Sequence, residues 1–131
     1  MIILYLLLYA LAAAHLYHYY PLLPEKLATH FGDGGVPNGW MPRDTFAGFY
    51  AGMLLFMTGG FLLARWLVQK LPDRLINIPN KAYWLAPERR EETRISYARD
   101  LGLMGLFTGA FVIGMHHLLI TIALDGQERL D

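Results

Sequence analysis

The sequence predicts an all-α membrane protein with three transmembrane helices, a structured outer loop and a long inner connection. Three observations carry this expectation. Residues 1–24, 45–64 and 101–124 hold no Asp, Glu, Lys or Arg, giving uncharged runs of 24, 20 and 24 residues. A helix of about 20 apolar residues crosses the hydrocarbon core of a bilayer. The 131-residue chain has room for one domain, and its 55% hydrophobic content and 17% charged content place that domain in a membrane. Finally, eight of the eleven Lys and Arg residues fall within residues 65–100. Basic residues collect in cytoplasmic loops, so this second connection is expected inside. The N-terminus is then inside, with the first connection and the C-terminal tail outside. Residues 1–131 read as a single integral membrane domain.

The first helix is expected over about residues 2–20. Its apolar run starts at Ile2 with no basic residue before it, which argues against a cleaved signal peptide despite the Ala12-Ala13-Ala14 pattern. Tyr17, Tyr19 and Tyr20 suit the outer membrane–water boundary, and Pro21 and Pro24 end the helix. Within the outer loop, residues 21–44, a short amphipathic helix is expected over residues 24–31. Pro24 suits its first position, Leu27 and Phe31 share a face, and Gly32 stops it with a positive φ. Val36-Pro37-Asn38-Gly39 reads as a β-turn that returns Trp40 onto Leu27 or Phe31. Asp44 or Thr45 is expected to cap the second helix, about residues 45–70.

In that helix Gly48 and Gly52 form a small-xxx-small pair, and Gly59-Gly60 makes a second smooth patch. Arg65 reaches the inner interface beside Trp66. The inner connection, residues 71–86, is expected as an extended strip on the membrane surface, since its prolines and asparagines oppose helix. Pro87 opens the third helix, about residues 87–124, with Glu88, Glu91 and Glu92 in the favourable first turns. Gly102, Gly105 and Gly109 lie on one face of it, with His116 seven residues further on. The tail covers residues 125–131.

Two motif blocks carry a resemblance to a known family. The outer block Leu23-Pro24-Glu25 … His30-Phe31 … Gly35-Val36-Pro37-Asn38-Gly39-Trp40 … Arg43 resembles a short domain of unknown function. That domain stands at the N-terminus of SdpI-type bacterial membrane proteins and in many small stand-alone ones. Arg43 stands where the family has Lys, which keeps the charge and changes the hydrogen-bond geometry. The inner block Asn77-Ile78-Pro79-Asn80 … Trp84 … Arg89-Arg90 resembles a second stretch seen in a subset of the small members. The resemblance implies fold and location, in the cytoplasmic (inner) membrane of a bacterium. SdpI resembles an immunity and signalling protein against a secreted toxin and has further helices. For the small members the resemblance implies no activity.

Five histidines, at 15, 18, 30, 116 and 117, fall in the outer half of this topology. His15 and His18 share a helical face, so with His116 and His117 they would be the ligands of a metal or haem between the first and third helices. No Cys or outer-half acid completes such a site, and no cofactor is expected. Polar contacts between helices are the simpler reading. On the same topology, His15 or His18 should approach His116 if the first and third helices are neighbours. The cluster Arg89, Arg90, Arg94 and Arg99 suits anionic lipid heads. Pairs such as Arg89–Glu92 and Glu91–Arg94 within one helix face account for it more simply.

No phosphate-binding glycine loop, nucleophile elbow or intramembrane carboxylate pair is present, so hydrolase and kinase chemistry have no support. Zero net charge gives no attraction to nucleic acid, and the absence of Cys leaves no trace of redox compartment. Three function classes remain. The favoured one is a non-catalytic accessory or assembly module that binds another membrane protein, or a second copy, through its outer loop or its glycine faces at Gly48, Gly52, Gly105 and Gly109. The others are an immunity or sensing protein for an extracellular peptide, and a histidine-ligated metal or haem redox protein.

Overall fold

The computed structural model describes residues 1–126, so most of the expected tail, from residue 127, lies outside the described residues. Three helices are long and apolar enough to cross a membrane: α1 Ile2–Tyr19, α2 Arg43–Lys70 and α4 Arg90–Asp125. The expected all-α, three-span membrane protein is what the chain forms. Helix α1 runs parallel to α4, with Tyr5 beside Gly102 near one end and His15 beside His117 near the other. Helix α2 runs antiparallel to both.

Glycines on α4 decide how close the helices come. A Cβ on Gly105 would overlap the Tyr5 hydroxyl and stand 2.7 Å from Phe61 Cβ, and one on Gly109 would stand 3.0 Å from Thr58 Cγ2. Without a hydrophobic drive between helices in lipid, such close van der Waals packing is what joins them. Two tyrosine hydroxyls of α1 are satisfied across the bundle. The Tyr5 hydroxyl donates to the Gly102 carbonyl at 3.0 Å. Thr58 spends its proton on the Leu54 carbonyl at 2.6 Å, so the Tyr9 hydroxyl donates to Thr58 Oγ1 at 2.8 Å. Ala12, Tyr50, Leu54 and Val112 close the middle of the bundle.

The loop expected outside is a β-hairpin, which corrects the helix expected over residues 24–31. Strand β1 Lys26–Phe31 pairs antiparallel with β2 Pro37–Pro42, with Leu27 opposite Met41 and Ala28 opposite Trp40. The reversal sits at residues 33–35, not at Pro37-Asn38-Gly39. Gly34 and Gly35 take φ of 69° and 74°, where other residues are strained, whereas Gly32 has φ −90°. An isolated eight-residue helix is marginal, while the hairpin pairs its backbone groups internally. Leu27 is driven into Leu23, Phe46 and Ile120 at the end of the bundle. Alternation then turns the neighbouring position outward. Trp40 is 61% exposed, so the expected packing of its ring onto Leu27 or Phe31 is wrong.

Helix α2 starts at Arg43, two residues before expected, behind Pro42 and without a side-chain cap. Asp44 instead accepts a hydrogen bond from the Tyr20 hydroxyl at 2.6 Å. The inner connection is not an extended strip. It holds a 3₁₀ turn at Asp73–Leu75 and a one-turn helix, α3 Lys81–Trp84, entered through Asn80 at φ 50°. Ile76 and Leu85 fold under the bundle against Val68 and Ala98, which a strip spread on the surface could not do. Pro87 lies in the turn before α4, and the helix begins at Arg90.

Candidate functional site

At the hairpin end of the bundle, the four intramembrane histidines separate into different roles. His15 Nε2 and His117 Nδ1 face each other at 3.2 Å, one ring donating to the other. Tyr19 packs against both rings at 4.9 and 5.5 Å between centroids. His116 is turned inward, 4% exposed. Its Nδ1–H donates to the Val112 carbonyl at 2.8 Å, and its ring stacks on Tyr50 at 4.4 Å. His18 is exposed beside Tyr19 and meets neither His116 nor His117 in a hydrogen bond. Helices α1 and α4 are neighbours, and the ring that bonds His15 is His117 rather than His116. Among the described residues no group of three or more His, Cys, Asp or Glu could hold a metal ion. Chemically, the His15–His117 pair shares a proton between two helices.

Helix α1 meets α2 through the Tyr9–Thr58 bond, and beyond it Ala12 packs with Tyr50 and Leu54. Along this seam lies an apolar groove in two sections, which share Ala13 and Leu16. The deeper, about 210 Å³, is lined by Ala12, Ala13, Tyr50, Ala51 and Leu55. The outer, about 820 Å³, opens between Leu16, Tyr17, His18 and Pro21 on one side and Ala47 on the other. Alanines stand on both walls, Ala12 and Ala13 on α1 and Ala47 and Ala51 on α2, among larger side chains such as Tyr9, Leu16, Tyr50 and Leu54. Gly48 and Gly52, one position on from Ala47 and Ala51, are exposed, and a Cβ on either would meet nothing within 4 Å. As helix-packing residues they join no helix of this chain, in contrast to Gly105 and Gly109.

The basic side is a clasp. Arg94 donates to the Val68 carbonyl at 2.8 Å, to the Leu71 carbonyl at 2.7 Å and to Asp73 Oδ1 at 2.5 Å. It thereby satisfies the last carbonyls of α2 and complements the negative end of that helix. Arg90 meets the other Asp73 oxygen at 2.9 Å. The hydrogen bond from Arg94, then the charge of Arg90, holds the Asp73 carboxyl below its ordinary pKa. Arg65 donates to the Ala98 carbonyl at 2.7 Å. The pairs expected within one helix face do not form: Arg89 pairs with Glu88, and Arg90 and Arg94 reach 17 and 21 residues back to Asp73.

The motif residues divide the same way. His30 bonds Asn38 across the hairpin, Gly39 lets the His30 Cβ come within 3.0 Å of where its own Cβ would be, and Phe31 stands opposite Pro37. Gly35 makes the reversal. Arg43 covers the Tyr20 ring at 4.9 Å and reaches the Leu23 carbonyl at 3.4 Å. Asn77 and Pro79 are exposed in the inner connection, Asn80 starts α3, and Arg89 covers the Tyr83 ring at 4.0 Å. Sequence reasoning missed Thr58 as a polar contact of the bundle interior and Tyr50 as the ring on which His116 stacks; the four-residue spacing of Tyr50, Leu54 and Thr58 on one helix face was the available signal.

Residues 6–57 match the family described as Domain of unknown function (DUF1648), a stretch that takes in most of α1, the hairpin and the first half of α2. No curated protein and no solved structure matches the chain.

Proposed function

We propose that this chain, which carries the DUF1648 domain across its hairpin and groove, is a non-catalytic accessory module of a bacterial cytoplasmic membrane. It binds a transmembrane helix of another membrane protein, with its N-terminus inside and its hairpin outside. The single observation that supports this reading is the groove between α1 and α2, with Ala12, Ala13, Ala47 and Ala51 in its lining. Helices in lipid associate through small residues that let backbones approach, so alanines on both sides of the groove, with Gly48 and Gly52 alongside, suit a helix better than a solute. Helix α1 supports it further, since only Tyr5 and Ala12 are fully buried along its length.

Cross-linking in native membranes tests the reading. Ala51→Cys should form a disulfide-linked or reagent-linked adduct with another membrane protein, identified by mass, and Phe107→Cys, 75% exposed on α4, should not. An adduct at twice the chain mass makes the partner a second copy. Absence of any adduct at Ala51, or equal adducts at both positions, overturns the proposal and leaves the groove to lipid.

A second reading, recognition of an extracellular peptide, is favoured by Trp40. The ring stands exposed on the hairpin beside a cleft of about 420 Å³ shared with Lys26, Val36 and Ile122. Under that reading Trp40→Ala abolishes peptide binding while the Ala51 adducts are absent.

A further inference from the structure

The inner motif block plays no part in the groove. It builds a separate, mostly apolar cavity of about 420 Å³, with Ile78, Pro79 and Trp84 on one wall and α4 on the other. Contacts outside the cavity hold both walls. Ile78 and Tyr97 rest on the buried cluster of Val68, Ile76, Leu85 and Ala98. The Thr93 hydroxyl donates to the Trp84 carbonyl at 2.9 Å, which ties the end of α3 to α4. The Trp84 ring meets Tyr83 edge to face at 5.0 Å between centroids. An apolar pocket of this size, with few polar groups and walls fixed in advance, suits a small molecule.

Charge decides which kind. The charged residues of the lining are Arg89, Glu92 and Asp100. Arg89 is already engaged: it pairs with Glu88 at 3.0 Å, donates to the Tyr83 carbonyl at 2.9 Å and covers the Tyr83 ring at 4.0 Å. Asp100 pairs at 3.3 Å with Arg99, which stands outside the lining. Glu92 has no ion pair or hydrogen bond among the described residues. The cavity therefore carries one uncompensated negative charge, and it shares its lining with the rings of Trp84 and Tyr97. Such a site repels an anion. It attracts an ammonium twice, through the carboxylate and through the electron-rich ring faces. Ile78 and Pro79 offer only apolar side chains, so the rest of the ion's surface must be apolar too. Asp100 is the last charged residue before the uncharged run 101–124, which sets that end of the cavity at the bilayer surface, where amphiphiles collect.

We propose that this cavity binds an amphiphilic organic ammonium ion. Glu92 takes the charged nitrogen, the Trp84 and Tyr97 rings flank it, and the apolar body lies against Ile78 and Pro79. A neutral amphiphile of the same shape leaves Glu92 unpaired, and a hydrophilic cation leaves the apolar wall uncovered. The site is separate from the α1–α2 groove and does not depend on what that groove binds.

Calorimetric titration of the full chain in a non-ionic detergent, against a blank of detergent alone, tests this with three probes of one aromatic body: phenethylammonium, phenethyl alcohol and phenylacetate. At neutral pH phenethylammonium should bind once per chain and about tenfold tighter than the alcohol, the value of one charge-assisted hydrogen bond. Phenylacetate should not bind. Glu92→Gln should bring the ammonium to the affinity of the alcohol and leave the alcohol unchanged. Glu91→Gln, one position away and outside the lining, should change neither. Trp84→Leu keeps an apolar wall without the ring, and should weaken the ammonium roughly threefold more than the alcohol. Glu92 has no partner to lose, so its Gln variant folds; unchanged circular dichroism and elution volume check it. Absence of saturable ammonium binding, a preference that survives Glu92→Gln, or an equal loss in Glu91→Gln overturns the proposal. Nα-acetyl-lysine amide binding as tightly as phenethylammonium overturns the small amphiphile as occupant and puts a lysine side chain of another protein in its place.

Discussion

Two glycine pairs with identical spacing, Gly48/Gly52 and Gly105/Gly109, are predicted to answer alanine substitution in opposite directions. In Gly105→Ala the new methyl falls on the Tyr5 hydroxyl and 2.7 Å from Phe61 Cβ. Neither yields easily: Tyr5 is 2% exposed and its hydroxyl is held at 3.0 Å by the Gly102 carbonyl. Overpacking costs about 1–3 kcal/mol, and the displaced interhelical hydrogen bond adds roughly 1 kcal/mol. Replacing a helical glycine returns up to about 1 kcal/mol. The net expectation is a loss of about 1–3 kcal/mol. Gly52→Ala meets nothing within 4 Å, so only the helix-propensity gain of up to about 1 kcal/mol remains. Reversible unfolding of the monomer in mixed micelles, titrated with a denaturing detergent and followed by tryptophan fluorescence, reads both. A Tyr5→Phe background should reduce the Gly105→Ala penalty, because the atom struck by the methyl is gone, giving a non-additive double-mutant cycle. Equal effects at Gly105 and Gly52, or strict additivity with Tyr5→Phe, would refute the packing argument.

Arg94→Met should lower stability in the same assay, by less than the roughly 3–5 kcal/mol of a fully buried pair because Asp73 keeps contact with water. Asp73 titrates below its usual 3.8, so its contribution is complete above that pH and disappears as pH falls through the lower folded value. The acid limb of the stability profile should therefore flatten in Asp73→Asn, and an unchanged limb would assign acid sensitivity elsewhere. A cysteine at Asp33 should react with an impermeant thiol reagent in intact cells and one at Lys81 should not; the reverse labelling inverts the topology. Trp40→Ala should change stability by less than about 1 kcal/mol, as for other exposed positions, whereas a loss of 3 kcal/mol would mean the ring is buried.

The three spans could be read from the residues alone because the bilayer imposes a one-dimensional criterion: about 20 residues without charge, with every backbone group satisfied inside the helix. That criterion needs no knowledge of neighbours. The outer loop had no such criterion. Leu27 and Phe31 fit a helix face as well as Leu27, Thr29 and Phe31 fit a strand, and only the cluster of Leu23, Phe46 and Ile120 at the bundle end chose between them. Choosing Leu27 as the inward residue sent Trp40 outward. Likewise Gly52 and Gly105 are indistinguishable as letters; the approach of Tyr5 to one and of nothing to the other belongs to the tertiary packing. The basic cluster reads as topology in sequence, but Arg94 could find Asp73 and the end of α2 only once the chain between them had turned back. The membrane's demands act on each segment separately and are written into it. Partner choice depends on which surfaces meet, and the fold decides that.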